Sequence, residues 1–227
     1  MAHGIVGFAG QISFGKTIAA KHLNLKREFE TVAFADPLKD LFCEYFGVDR
    51  QFIEKYKRSN DPPPGFKKTI RKSLQDIGNG FRKIKDSIWI DKFTERVESI
   101  NNFVSVDDVR YLNEAQCIKN LGGINILIYR PEYLNEDTAD SESQLRDVIV
   151  YLKNIWENTE QEGLVSEMPP NELLQSKLDL FDLFIVNNGV TEHLLYNKID
   201  YWIDRLIVPK IVKPFVDKKY STLSAAA

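Results

Sequence analysis

Only two cysteines, Cys43 and Cys117, occur in 227 residues, and neither stands in a C-x-x-C pair. That scarcity argues against a disulfide framework or a zinc site and suits a reducing compartment. Histidine is nearly as rare: His3, His22 and His193 have no ligand-like spacing and are given no role. No apolar run approaches the roughly 20 residues that a membrane span requires. The chain also meets its first apolar strand at once, which leaves no room for a signal peptide. An excess of charge of one sign is missing too. Thirty basic against thirty-three acidic residues leave a net charge of −3, so there is no electrostatic footprint for polymeric nucleic acid. These absences predict an intracellular protein with neither a membrane nor a nucleic-acid polymer as partner. What the chain does have is 43% apolar residues, enough for one sizeable core with an appended lid or subdomain. Ser224-Ala225-Ala226-Ala227 reads as a frayed or appended tail.

The most informative feature is Gly10-Gln11-Ile12-Ser13-Phe14-Gly15-Lys16-Thr17, which fits G-x-x-x-x-G-K-[ST]. Gly4 to Ala9 before it reads as a short buried strand, and Ile18 to Leu23 after it as the first turns of a helix. A strand-to-helix turn through glycines aims successive backbone N–H groups at one point, where the positive end of the helix dipole adds to them. Such a loop holds a nucleotide's phosphates, with Lys16 reaching the β- and γ-phosphates and the Thr17 hydroxyl ligating Mg²⁺. A plain glycine-punctuated β–α turn is the alternative. Ser13 and Phe14 are unusual for a loop that wraps a phosphate closely, because glycine suits tight backbone approach better.

Beyond the loop, strand and helix alternate. Thr31 to Ala35 is expected as a second strand ending at Asp36-Pro37, where proline restarts a helix through Leu38, Leu41, Phe42 and Phe46. Lys57 to Lys68, with three consecutive prolines, must be loop. Ile70, Leu74, Ile77 and Phe81 suggest a helix interrupted near Gly78 and Gly80, and Trp89, Phe93, Val97 and Ile100 form a further apolar stripe. Phe103 to Val106 is expected as a strand ending in Asp107-Asp108, Ile124 to Tyr129 as one ending at Arg130-Pro131, and Leu180 to Val186 as the last, before Asn187-Asn188-Gly189. A closing helix carries Leu194, Leu195, Ile199, Trp202, Ile203 and Leu206. The pattern predicts an α/β fold of the P-loop NTPase kind, a parallel sheet covered by helices on both faces. Ligands in that architecture bind at the carboxyl ends of the strands. Gly10 to Thr17, Asp36, Asp107, Asp108, Arg130 and Asn187 all fall there.

Each of these has a plainer role available. Asp36 before Pro37 suits a helix cap. Asp107 and Asp108 could cap the next helix, although a carboxylate at a strand end beside the loop is also where Mg²⁺ is held through water. Arg110 suits a surface ion pair or a phosphate contact. Arg71, Arg82, Arg130 and Arg146 flank the expected crevice or its lid, and several arginines converging on a transferring phosphoryl group are what a kinase needs.

Six motifs in order resemble the bacteriophage deoxynucleoside monophosphate kinases: the phosphate loop, Phe34 to Lys39, Arg71 to Gly78, Val106 to Ala115, Gly122 to Pro131 and Asp182 to Val190. The resemblance spans most of residues 4 to 206. It implies one P-loop kinase domain over residues 1–227, with an acceptor-binding helical region near 37–100 and a lid or insertion near 131–179. It also implies transfer of the γ-phosphate of ATP, with Mg²⁺, to a deoxynucleoside 5′-monophosphate. Carried onto this chain, Gly10 to Thr17 and Asn187 would bind ATP. Lys16, Arg110 and Arg130 would be catalytic. Asp36, Lys39, Arg71, Gln75, Arg82 and Asp108 would bind the acceptor, and Thr17 and Asp108 the metal. If the chain is phage-encoded, the host cytoplasm is where it would work.

The stretch from Glu132 to Asp179 departs from the family pattern. Ser141-Glu142 and Ser166-Glu167 both resemble the lid motif, and the stripe Leu145, Val148, Ile149, Leu152, Ile155 and Trp156 between them suits core, a closing lid or a homodimer contact. Phosphomevalonate kinase and dephospho-coenzyme A kinase share the loop and neighbouring features. A non-catalytic nucleotide-binding protein is the remaining class, and the Arg71/Gln75 region and the D-x-R segment argue against it.

Overall fold

In the computed structural model, which describes residues 2–133, 144–160, 163–164, 172–189 and 191–207, every strand sits in a six-stranded sheet of order β2-β3-β1-β4-β6-β5. The strands are β1 (Gly4–Ala9), β2 (Glu30–Val32), β3 (Phe103–Val109), β4 (Ile124–Tyr129), β5 (Gly163–Leu164) and β6 (Leu183–Val186). The first five in that order run parallel, and β5 alone pairs antiparallel. β4 and β6 are buried throughout and β1 from Ile5 onward, as their continuous apolar runs require when helices cover both faces. The order reverses at β1. The chain leaves it through α1 (Lys16–Arg27) toward β2 and later crosses from β3 through α6 (Leu112–Asn120) to β4. Right-handed crossovers in opposite directions put these two helices on opposite faces. α1 buries Ala19, Ala20 and Leu23, and α6 buries Ala115, Cys117 and Ile118.

The chain divides into two compact units, Met1–Val32 with Val97–Ala227 and, separately, Ala33–Arg96. The second is helical: α2 (Asp36–Phe46), α3 (Arg50–Tyr56), α4 (Ile70–Ile84) and most of α5 (Ile88–Ser99). It has its own small core, in which Phe42, Ile53 and Ile70 are fully buried and Phe52, Tyr56, Phe66, Leu74 and Ile77 pack around them. The first unit continues after β4 with α7 (Arg146–Thr159), α8 (Glu172–Leu178) and α9 (Glu192–Trp202).

Several boundaries differ from the sequence expectation, each for a physical reason. β2 stops at Val32 and not at Ala35, because Ala33 N donates to the Asp36 carboxylate and Asp36 N to Ala33 O, which closes a turn. α4 runs unbroken through Gly78 and Gly80. Neither glycine has positive φ, and a Cβ at Gly78 would lie 3.1 Å from Leu38 Cδ2, so Gly78 permits close packing and does not interrupt the helix. α3 had no counterpart in the periodicity, although its signals were present: Gly47 ends α2 at φ 63, and the Asp49 carboxylate accepts from Phe52 N at 2.7 Å. β6 begins at Leu183, since Asp182 turns its carboxylate to Asn125 N (3.0 Å) and Lys119 Nζ (2.8 Å).

The stripe on α7 is core: Leu145, Val148, Ile149 and Leu152 are buried, and Trp156 meets Tyr129 edge-on at 6.2 Å. The two Ser-Glu pairs, Val190 and the alanine tail lie outside the described residues.

α1 and α9 are tied by a charged cluster. Asp200 receives His22 Nε2 at 3.0 Å and Lys26 Nζ at 3.2 Å, while the Tyr196 ring stacks on His22 at 4.3 Å. Burial pushes the Asp200 carboxyl up, but the bonds from His22 and Lys26 outweigh it and hold it below the usual carboxylate range. A depressed carboxyl stabilises the fold above its unfolded value of about 3.9, and the contribution is lost as pH falls through the lower folded value. For a pair partly open to water this is worth about 1 kcal/mol. Asp200→Asn is therefore expected to lower Tm by roughly 2–4 °C at pH 7. The difference from wild type should vanish in thermal melts taken below the carboxylate range, and a constant difference at all pH values would show that packing was lost instead.

Candidate functional site

β1 delivers the chain to Gly10 at the centre of the sheet's carboxyl edge, and the loop closes onto the first turn of α1. Gly10, Ser13 and Gly15 take φ of 139, 66 and 104, all in the left-handed half of backbone space. Two of these are the motif glycines, and the third explains why glycine would suit position 13. A Cβ on Gly10 would lie 2.4 Å from Ile128 O, so β4's backbone occupies the space a side chain needs. Ser13 and Thr17 are exposed, whereas Gln11 and Lys16 are buried. Lys16 Nζ donates to Gly10 O and Gln11 O, both at 2.7 Å, bridging the loop from within. No acidic residue occupies the first turn of α1, which keeps its N-terminus electropositive.

Phe14 does not crowd the bend. Its ring is fully buried and meets Tyr129 edge-on at 5.8 Å, so it anchors the loop in the core. Asn187, just past β6, is buried and donates from Nδ2 to Phe14 O at 3.0 Å, while its own N–H bonds Tyr129 O at 2.7 Å. A Cβ on Gly15 would stand 2.8 Å from that same Nδ2. Asn187 thus braces the loop from behind, a role that only its spatial neighbours reveal. Burial, with a smaller contribution from Glu157, pushes the Tyr129 phenol up, so it stays neutral at ordinary pH.

β3 supplies the acidic pair, but not after its end. Gly7 pairs with Val106 and Ala9 with Val109, so Asp107 and Asp108 together oppose the single residue Phe8. This bulge keeps two consecutive carboxylates half-buried inside the strand while Val106 and Val109 both remain in the core. Neither residue caps α6. Glu114 takes that task, its Oε2 accepting from Arg110 N at 2.8 Å and Tyr111 N at 3.1 Å, which holds the turn carrying Arg110. Arg130, just beyond β4, lies over the Tyr133 ring with its Cζ 4.2 Å from the centroid. Past β6, Lys198 Nζ donates to Val186 O at 2.7 Å beside a cavity of about 280 Å³ lined by Trp156, Glu160, Asn188 and Lys198. No sequence pattern pointed to that cavity.

The first unit therefore gathers Gly10 to Thr17, Asp108, Arg110, Arg130 and Asn187 along one edge of its sheet. The remaining candidates are in the second unit. Asp36 and Lys39 sit on the first turn of α2, 3.5 Å apart, and Arg71, Gln75 and Arg82 follow one face of α4 at spacings of four and seven residues. Arg82 Nη1 reaches Asn79 Oδ1 at 3.5 Å.

Mg²⁺ prefers oxygen ligands and keeps several waters, so it needs few protein groups. The exposed Thr17 hydroxyl and the half-buried Asp108 fit that demand, and among the described residues there is no denser cluster of His, Cys, Asp or Glu suited to a metal. Asp108→Asn is expected to shift the Mg²⁺ titration to higher concentration and lower turnover. Arg110→Lys should also lower turnover, because a point charge cannot replace a planar fork. Unchanged titrations and kinetics in both variants would remove these residues from the site. Among the described residues no helix is long and apolar enough to cross a membrane.

No family model matches the chain. Over 163 residues it is 32% identical to a protein of Acanthamoeba polyphaga mimivirus described as "putative deoxynucleotide monophosphate kinase", covering 65% of this chain and 84% of that one. Among solved structures, it is similar to shikimate kinase from Acinetobacter baumannii at 15% identity and a TM-score of 0.40, covering 89% of this chain and 95% of that one. It is also similar to dephospho-CoA kinase from Campylobacter jejuni at 16% identity and a TM-score of 0.39, covering 89% and 98%. Likeness at that level carries nothing about substrate.

Proposed function

Because the chain belongs to the deoxynucleotide monophosphate kinase family, we propose that it transfers the γ-phosphate of ATP to a deoxynucleoside 5′-monophosphate, releasing ADP and the diphosphate. The observation that carries the acceptor is the polar face of α4. Arg71 and Arg82 offer planar cations for phosphate, and between them Gln75 is a half-buried amide able to read a base edge. A module that only binds nucleotide has no use for this second set.

The donor lies along the phosphate loop, its β-phosphate on the backbone N–H groups and its γ-phosphate within reach of Lys16. The cavity at Trp156, Asn188 and Lys198 suits the donor's base, offering an indole face for stacking, an amide and an ammonium. Mg²⁺, held by Thr17 and Asp108, would neutralise charge on the phosphates. An oxygen of the acceptor monophosphate attacks the γ-phosphorus as the bond to the ADP oxygen breaks. Arg110 and Arg130 carry the charge that develops on the transferring group. Residues 131–179 serve in this reading as the segment that excludes water. In this reading the chain is of the bacteriophage type and acts in the host cytoplasm, which the resemblance of its six motifs supports.

A coupled assay for ADP release tests the reading with a panel of deoxynucleoside and ribonucleoside monophosphates, phosphomevalonate and dephospho-coenzyme A. Release driven by one or more deoxynucleoside monophosphates supports it. Release driven only by another acceptor would reassign the substrate, and release with none would leave a nucleotide-binding protein.

A further inference from the structure

We infer that Arg50 is a positioning residue of the acceptor site, acting through Asp36 to keep Lys39 presented to the acceptor's phosphate; the inference rests on the acceptor reading above. Arg50 opens α3 and belongs to none of the motifs that suggested the site. Its guanidinium spans one turn of α2. Nε and Nη2 donate to Asp40 Oδ1 at 3.0 and 2.6 Å, Nη2 also to Asp36 O at 2.8 Å, and Nη1 to Asp36 Oδ1 at 3.3 Å. The other oxygen of Asp36 accepts from Ala33 N at 2.9 Å. Arg96 adds a longer contact to Asp40 at 3.6 Å.

The consequence falls on Lys39. Its ammonium lies 3.5 Å from Asp36 Oδ1, the same oxygen that faces Arg50, and its side chain is 23% exposed. With both carboxylate oxygens already engaged, Asp36 holds Lys39 in place by charge while leaving the donors of the ammonium for another anion. Without Arg50, Lys39 would be the one side-chain cation left at Asp36 among the described residues. The two would close into a tight ion pair that competes directly with a phosphate. The first turn of α2 would also lose its clamp at Asp36 O. A staple joining α2 to α3 would explain the same contacts, but it predicts a loss of stability with no preference between substrates.

Steady-state kinetics against both substrates separate the two roles. Arg50→Ala is expected to raise KM for the deoxynucleoside monophosphate by roughly tenfold to a hundredfold, with KM for ATP within about twofold of wild type. Arg50→Lys keeps the charge without the fork and should fall between. Asp40→Asn loosens the other anchor, so it should raise the acceptor KM by itself but add little in the Arg50→Ala background. If Arg50→Ala fails to fold, Arg50→Lys and Asp40→Asn carry the same comparison. An acceptor KM unchanged in folded variants of an active enzyme, or both KM values rising together with a lowered Tm, would overturn this inference alone. A wild-type enzyme that phosphorylates no monophosphate would overturn the acceptor reading and this inference with it.

Discussion

Lys16→Ala is expected to reduce phosphoryl transfer by on the order of a thousandfold or more, because catalysis of this kind is charge stabilisation and positioning, and the variant has no other cation inside the loop to replace it. The fold should survive. The bonds from Lys16 to Gly10 O and Gln11 O both lie within one loop, and losing them leaves each carbonyl short of a donor, costing about 1–3 kcal/mol. Circular dichroism should show native helix content with Tm lowered by at most about 10 °C, and calorimetry should show weakened ATP binding. A variant that turns over normally would show that Lys16 is not the donor lysine. One that is wholly unfolded would show that its bonds to Gly10 and Gln11 are structural.

Gly10→Ala is expected to be strongly damaging although it adds a single methyl. At φ 139 the new Cβ meets Ile128 O at 2.4 Å and Phe14 Cδ2 at 3.1 Å. The first contact is backbone in the middle of the sheet, where β4 is held on both sides by β1 and β6. Neither strand can withdraw without breaking its ladder, so the loop must distort. A destabilisation of about 2–4 kcal/mol follows, lowering Tm by roughly 5–15 °C, together with loss of ATP binding. Gly47→Ala is the control. It also has positive φ, at 63, but nothing lies within 4 Å of the added Cβ, so only the left-handed penalty of about 1–2 kcal/mol remains. Thermal melts and ATP titrations of the two variants compare steric exclusion with backbone strain. Equal effects on both measurements would mean that the contact with β4 plays no part.

The phosphate loop was legible because its information is local. Strand, glycines, lysine and helix follow one another within about twenty residues, and each position has its own backbone requirement. The parallel sheet was legible for a similar reason, since β1, β4 and β6 are short runs apolar on both sides. Local signals also existed for α3, in Gly47 and Asp49, but its seven residues are too few for periodicity to stand out. Gly78 misled because a glycine in a helical pattern reads as a break. Its missing side chain in fact makes room for Leu38, forty residues earlier, with which it shares no sequence signal.

By itself, then, the sequence determined the fold class, the place of the phosphate site and the residue types that could serve it, because hydrophobic period and turn chemistry act over a few neighbouring residues. Only the tertiary structure decided what those residues do. It turned Phe14 inward, made Asn187 a brace behind the loop, moved Asp107 and Asp108 into a bulge with Glu114 as the cap, buried the α7 stripe, and set Arg50 between Asp36 and Asp40. Each of these depends on partners distant in the chain or on a one-residue shift between paired strands. A side chain's role follows from which donors, acceptors and apolar surfaces packing brings within a few ångströms, and spacing along the chain does not carry that information.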